Sequence, residues 1–453
     1  MKTGEKECMI GQKRLDIVKT TVMLLFIISP MFVLHFGKRE AFLWVQIFFC
    51  CLMALKYNRV YFLKYPIINL IFLELAASAV SAVLSEMPSS YQKAAVVQPI
   101  MLIPLYFTAA YLVQLIKRNH AWCGVIIKAV KCAVLIQAIW LPVQLILYRG
   151  FQLDINDLLF VKILHMVENA SFVRSWKWYP SGLSWHSATL APLFVLGILL
   201  FKSNAVRALI LVDSMLCGNS TAMIGAFMAF GLVCLHKILT TRKMKVNRQK
   251  LVVGLLLLAV GLVAMYYLKI GSLLVSSISK LWIRLFGEEK DASTAAHFGY
   301  YADCVIIMKS SSPMEVLFGY GLGCSGHPIS VMYGRYTELA SWAIECDPVN
   351  ILVSRGIVGF IGYYGFLLYI LIKGRRIDFR YVILMFTVLV QGLGYNIQFD
   401  YLFLIEIILY STIKMKVNFF DADGSEKVCN ESEREENCLY DIGHRNHLQF
   451  RLG

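Results

Sequence analysis

Two stretches of the sequence collect residue types that handle phosphates and sugar hydroxyls. The first is Arg174-Ser-Trp-Lys-Trp-Tyr-Pro-Ser-Gly-Leu-Ser-Trp-His186, just before an apolar run. Arg174 and Lys177 can pair with phosphate oxygens, Arg in a bidentate fork. Trp176, Trp178, Tyr179 and Trp185 can stack on sugar rings, with His186 beside them. The same residues also suit an aromatic belt at a membrane interface. The second stretch runs from His297 to Arg355. Gly319, Gly321 and Gly323 permit tight turns and close backbone approach. They are followed by His327, Arg335, Glu338, Glu345 and Asp347, then Asn350 at the mouth of another apolar run and Arg355 inside it. A guanidinium within such a run is expensive unless it faces a polar cavity or a counterion. Asp347, Pro348 and Asn350 also suit a helix cap and its first turn.

Cations with carboxylates and aromatic rings beside them suit an anionic, lipid-linked saccharide. Transfer from a lipid pyrophosphate needs a group that stabilises the departing charge, and arginine does this. It also needs a carboxylate or imidazole to take the proton of the attacking hydroxyl. Asp347, Glu345 and His327 are candidates for that role, with Arg355 at the leaving group. This logic calls for no metal and no cofactor. The glycines are not a nucleotide fingerprint, because no strand–helix unit surrounds them.

The elements that must position these residues are membrane helices. The chain is 58% hydrophobic and 16% charged, against about 25% charged in ordinary soluble proteins. Apolar runs recur from end to end, each near the roughly 20 residues a helix needs to cross the hydrocarbon. About twelve spans are predicted, at roughly 17–36, 41–56, 66–84, 95–116, 123–148, 186–201, 205–217, 219–238, 250–269, 348–372, 379–395 and 398–414. The pair from 205 to 238 reads as a tight hairpin around Cys217 to Ser220. The fold class expected is an all-α polytopic membrane protein with a single transmembrane domain over 1–416. A poorly ordered tail of mixed charge is expected over 417–453.

Basic clusters at Lys2–Lys19, Lys56–Lys64, Lys117–Arg118, Lys202–Arg207, Lys237–Lys250 and Lys373–Arg380 fall on connections of one side. The positive-inside rule makes that side cytoplasmic and puts both termini there. The net charge of +15 is then topology signal, and no nucleic-acid partner is needed. The large connections, about 149–185 and 270–347, face out and carry both stretches. The second is long enough for small helices, and 276–282 suits an interfacial amphipathic helix. Cys304, Cys324 and Cys346 lie there and allow one disulfide of undetermined partners. Ionisable residues inside the spans are sparse: Glu74, Lys128, Lys131, Asp213 and Glu406.

This layout resembles the bacterial O-antigen polymerase and O-antigen ligase superfamily, over roughly residues 170 to 400. Three patches carry the resemblance. Arg174 with Ser181-Gly-Leu-Ser-Trp-His-Ser187 resembles the family's Arg…Ser-Gly segment before a span. Pro313 to Gly323 resembles its Pro-leu-x-Gly-x-Gly-x-Gly segment. Asp347-Pro-Val-Asn-Ile-Leu-Val-Ser-Arg-Gly-Ile-Val-Gly359 resembles its His-Asn-x-x-Leu…Gly-leu-x-Gly segment. The chain departs from the pattern at Asn219-Ser220-Thr221, where an Arg is usual. His297 stands nearest to another expected Arg, and Asp347 replaces the ligase His. That last departure favours polymerase over ligase.

The resemblance implies a GT-C-like, polyprenyl-dependent membrane fold in the bacterial inner membrane. It implies inverting transfer between undecaprenyl-pyrophosphate-linked repeat units on the outer face, with a chain-length-regulating co-polymerase and a flippase as partners. Arg174, Lys177, Trp185, His186, His297, Gly321, Gly323, Arg335 and Asn350 are the substrate-binding candidates. The alternatives are an O-antigen ligase and a lipid-linked oligosaccharide flippase or other transporter.

Overall fold

The structure, a computed structural model, describes residues 3–36, 39–57, 60–166, 179–184, 187–240, 292–333, 344–398 and 400–424, with backbone alone at 3–15, 56–57, 292–298 and 422–424. It is an all-α protein whose strands, among the described residues, are one two-residue hairpin, β1 (His35–Phe36) with β2 (Arg39–Glu40). Among the described residues, five helical stretches are long and apolar enough to cross a bilayer, Ser89–Arg118 being one of them. This is the build of a polytopic membrane protein.

The chain opens with α1 (Thr3–Ile28) and α2 (Ala41–Tyr57) around the hairpin. It continues with α3 (Pro66–Leu84), then α4 (Ser89–Met101) and α5 (Ile103–Arg118), then α6 (Trp122–Phe151). Next come α7 (Ala191–Leu200), α8 (Asn204–Leu216) and α9 (Ser220–Thr240). The second large connection holds α10 (Ala292–Ser310), α11 (Pro313–Phe318) and α12 (Gly326–Met332). The bundle is completed by α13 (Asp347–Gly374), α14 (Phe379–Gly392) and α15 (Asp400–Lys414).

Most boundaries follow the apolar runs, and the exceptions have local causes. The first helix ends at Ile28, not near 36, because the residue before Pro30 is pushed out of the α region and Pro30 offers no amide. The span expected at 95–116 begins at Ser89 and is jointed at Leu102, between Pro99 and Pro104. The hairpin at 205–238 is present, turning at Cys217–Gly218. Beyond Lys416 the chain is still packed. Phe419 and Phe420 are buried, and Asp421 accepts from Arg380 at 2.5 Å. The run at 250–269, residues 276–282 and the tail from 425 lie outside the described residues. Cys304, Cys324 and Cys346 are free thiols, the first and last in one small apolar cluster and Cys324 in another.

Two groups of contacts mark the two ends of the bundle. At one end Arg118 donates to Tyr61, and Tyr381 meets Thr412 and the amide of Phe419. These join connections that carry the basic clusters. At the other end Val33 donates to Leu183 O, Ser184 to Pro30 O, and Tyr401 to Thr189 O.

Candidate functional site

The site grows from a break in α13. Gly356 has φ +65°, and the helix restarts beyond it. A break frees carbonyls that the next turn would have used, and at membrane depth these must find partners. The glycine loop after α11 supplies them. Tyr320 N donates to Val353 O and Gly321 N to Ser354 O, each at 2.9 Å. Backbone meets backbone here. A Cβ on Gly319 would lie 2.3 Å from Ser354 C, and one on Gly356 2.3 Å from Leu317 O. Glycine at both positions is what lets the loop reach the break.

Arg355 stands at the last residue before the break. It lies eight residues into α13, ~12 Å along a helix rising about 1.5 Å per residue. Its side chain is buried, with 7% of the residue exposed. The counterion is Glu74 of α3, itself 6% exposed. Arg355 Nε donates to Glu74 Oε2 at 2.9 Å and Nη2 to the same oxygen at 2.5 Å. The other oxygen, Oε1, has no hydrogen-bond partner among the described residues. It lies against the first turn of the restarted helix, where a Cβ on Gly359 would be 2.5 Å away. A carboxylate is favoured there by the helix dipole. Below the guanidinium, the Tyr363 ring centroid is 5.5 Å from Arg355 Cζ, a cation–π distance.

Tyr363 links this pair to a second polar cluster. Its hydroxyl meets Gln398 Oε1 and, at 3.0 Å, Glu406 Oε2. Gln398 Nε2 in turn donates to Asp347 Oδ2 at 3.3 Å, and Ile397 N to Asp347 Oδ1 at 3.1 Å. Asp347 is the first residue inside α13, after the N-cap Cys346, so it is not the cap that its residue type suggests, and its carboxylate does not cap its own helix. It ties that helix to the connection before α15 and is buried there. Glu345, two residues earlier, is exposed.

The connection before α13 places Ser325 against Asn350, near the start of that helix. Ser325 donates to Asn350 Oδ1 at 2.5 Å and accepts from Ile344 N at 2.9 Å. His327 lies on α12, its ring 5.0 Å from that of Tyr91, and is 7% exposed. Burial lowers its pKa below the ordinary 6.5, against a weaker upward pull from Glu315. The imidazole is thus neutral near pH 7 and able to accept a proton. Glu315 has its own restraints. Burial pushes it up, but the Ser312 amide and the hydroxyls of Ser85, Ser312 and Tyr320 outweigh that and hold it below the usual range. It forms a capping box with Ser312 at the start of α11. Gly321 packs on Ala82 and Ala95, and Gly323 lies beside Gln98.

The first sequence stretch is described only over Tyr179–Ser184. That piece is pinned into the bundle by neutral amides of α6 and the turn after it. Gly182 N donates to Gln144 Oε1 at 3.0 Å, Leu183 N to Gln137 Oε1 at 2.8 Å, and Asn156 Nδ2 to Gly182 O at 2.7 Å. Arg174, Lys177, Trp185, His186 and Arg335 lie outside the described residues, as does the side chain of His297 on α10.

Of the candidates, the structure sets Gly321 against the turn that carries Arg355, holds Asn350 through Ser325, and packs His327, two residues past Ser325, on Tyr91 of α4. It turns Asp347 away into the bundle and leaves Glu345 exposed. Sequence reasoning missed the pairing of Glu74 with Arg355 and the joining of Glu406 to Asp347 through Tyr363 and Gln398. The available signal was that Glu74 and Arg355 are ionisable groups of opposite sign inside apolar runs. No family model matches this chain, and no curated protein matches it either.

Proposed function

We propose that the protein is a surface-polysaccharide polymerase with about twelve spans and a GT-C-like fold. It would join undecaprenyl-pyrophosphate-linked repeat units on the outer face of the bacterial inner membrane, with both termini cytoplasmic. The observation that carries this reading is Arg355: a buried guanidinium at a helix break, reached by an outer glycine loop. Charge that develops on a departing pyrophosphate is best met by a preorganised cation in a low-dielectric site.

In this reading the growing glycan on its lipid pyrophosphate is the donor. The non-reducing hydroxyl of a second lipid-linked unit attacks the anomeric carbon. The C–O bond to pyrophosphate breaks as the new glycosidic bond forms, with inversion. Arg355 takes the charge of the leaving group, and Arg174 and Arg335 grip further phosphates or acidic sugars. Among the candidate bases, His327 suits the hydroxyl proton best, being neutral and on the connection before α13. Asp347 already accepts from Ile397 and Gln398. A ligase would share this chemistry and differ in its final acceptor.

Purified protein given lipid-linked repeat units, without nucleotide sugars, is expected to produce a ladder of lipid-linked oligomers. His327→Asn should slow it by about 10²- to 10⁴-fold, the usual span for a general base. No ladder from folded protein would contradict the reading, and transfer only to an added final acceptor would make it a ligase.

A second reading, transport, is favoured by the buried carboxylates. Asp213 in α8 is fully buried with neither oxygen hydrogen-bonded among the described residues, and Glu406 lies buried in α15. Such groups mark proton or ion paths in transporters. Movement of a labelled lipid-linked sugar across proteoliposomes, lost in Asp213→Asn, would support it.

A further inference from the structure

The ion pair at the helix break is asymmetric. A full arginine–carboxylate pair is fork to fork, with two parallel bonds to two oxygens. Here Glu74 Oε2 takes both bonds, from Nε and Nη2, and Oε1 takes none. Nη1 of Arg355 donates to nothing among the described residues, so three of the five guanidinium N–H groups are unspent. The carboxylate also lies on the first turn of the restarted helix, against Gly359. One monovalent oxyanion thus occupies a place furnished with a cation, a helix N-terminus and surplus donors.

We propose that Glu74 is a resident stand-in for a ligand's phosphate oxygen. It keeps Arg355 paired while the site is empty, and a phosphate or pyrophosphate group displaces it when one binds. The inference rests on the reading of Arg355 as the anion grip. Two ordinary facts make the arrangement sensible. A buried arginine left without a partner is strongly destabilising, so an anion site at membrane depth needs an internal counterion between turnovers. A phosphate group, with more charge and more acceptor oxygens, uses the donors that one carboxylate oxygen leaves idle. Glu74 then sets the strength of anion binding by competition. Removing it should tighten binding, the reverse of what a ligand-contacting residue would do.

The test is binding of inorganic pyrophosphate to the purified full chain, by calorimetry, for the wild type and three variants. Glu74→Gln removes the competing charge. Glu74→Asp keeps the charge but draws it back by one methylene, so no orphan cation threatens the fold. The double variant E74Q/R355Q removes both charges together. A second arm repeats the series in nanodiscs containing polyprenyl pyrophosphate or, as a control, the neutral polyprenol. This separates a lipid headgroup from free pyrophosphate as the source of the anion.

Glu74→Gln is expected to bind about tenfold more tightly than wild type. Glu74→Asp should be intermediate, and the double variant should not bind. If Glu74→Gln and Glu74→Asp bind no more tightly than wild type while the double variant loses binding, Arg355 grips anions but the stand-in is overturned. Where Glu74→Gln does not fold, Glu74→Asp alone decides on the same criterion. If the double variant binds as wild type does, the anion-grip reading fails and the stand-in with it.

Discussion

Two segments outside regular helix are held within the bundle at its loop end, and they are held in different ways. The Ser181–Ser184 turn is fastened by neutral amides, with Gln137, Gln144 and Asn156 each meeting its backbone. The Gly319–Gly321 loop is fastened to the helix break by its backbone, through Val353 and Ser354, with the Tyr320 hydroxyl turned back to Ser311, and it leaves full charges beside it. The first arrangement spends its polar side chains on holding the chain in place. The second satisfies its backbone without them, so Arg355 and Glu74 are left for another task. Charge kept at membrane depth without being needed to hold the backbone is what supports the site proposed here.

Substitutions can break this contrast. The largest loss of stability is expected from Glu74→Ala, which leaves Arg355 unpaired and should cost about 3–5 kcal/mol. Thermal unfolding in detergent would measure it, and restoring balance with E74Q/R355Q should recover much of the loss. Next comes Gly356→Ala. The new Cβ meets Leu317 backbone and the left-handed φ disfavours any side chain. Backbone strain of this kind costs about 1–3 kcal/mol, and the displaced loop should also lower activity in whatever protein folds. Gln137→Ala removes the acceptor for Leu183 N and should cost about 1–3 kcal/mol. Activity per folded molecule should survive, because that turn is only fastened. If Gln137→Ala lowered specific activity as much as Gly356→Ala, the contrast between the two segments would be lost.

A pH profile sharpens the same point with a smaller effect. The folded-state pKa of His327 is lowered below 6.5, so between the two values the unfolded chain binds the proton and the native protein does not. Its stability contribution is complete above 6.5 and is lost as pH falls through the lower, native value. Activity that depends on the neutral imidazole should be level above 6.5 and fall on the acid side. His327→Asn should remove that acid limb.

Much of the frame was legible in the sequence, and the reasons are local. The α3 span matches because Pro66 and Ser85 bracket an apolar run whose one ionisable residue is Glu74, and the α8–α9 hairpin because Gly218 interrupts one. The joint between α4 and α5 was signalled by two prolines and went unread. The break in α13 had no such sign, since Gly356 is a glycine among apolar residues and its partner loop lies far back in the chain. A far longer separation, 281 positions, hid the Glu74–Arg355 pair. Arg355 asked for a counterion on energetic grounds alone, but only the packing of α3 on α13 names it. Asp347 shows the opposite limit. Its place at a helix start was readable, while its attachment to Ile397 and Gln398 comes from the packing of α13 against α14 and α15.

The central claim is that Arg355 serves the chemistry through the geometry of its guanidinium and not merely through its charge. Arg355→Lys keeps the charge opposite Glu74 but has no planar fork. Folded Arg355→Lys protein, incubated with lipid-linked repeat units, should give no ladder or a ladder at least about tenfold slower than wild type. A ladder formed at the wild-type rate would contradict the account.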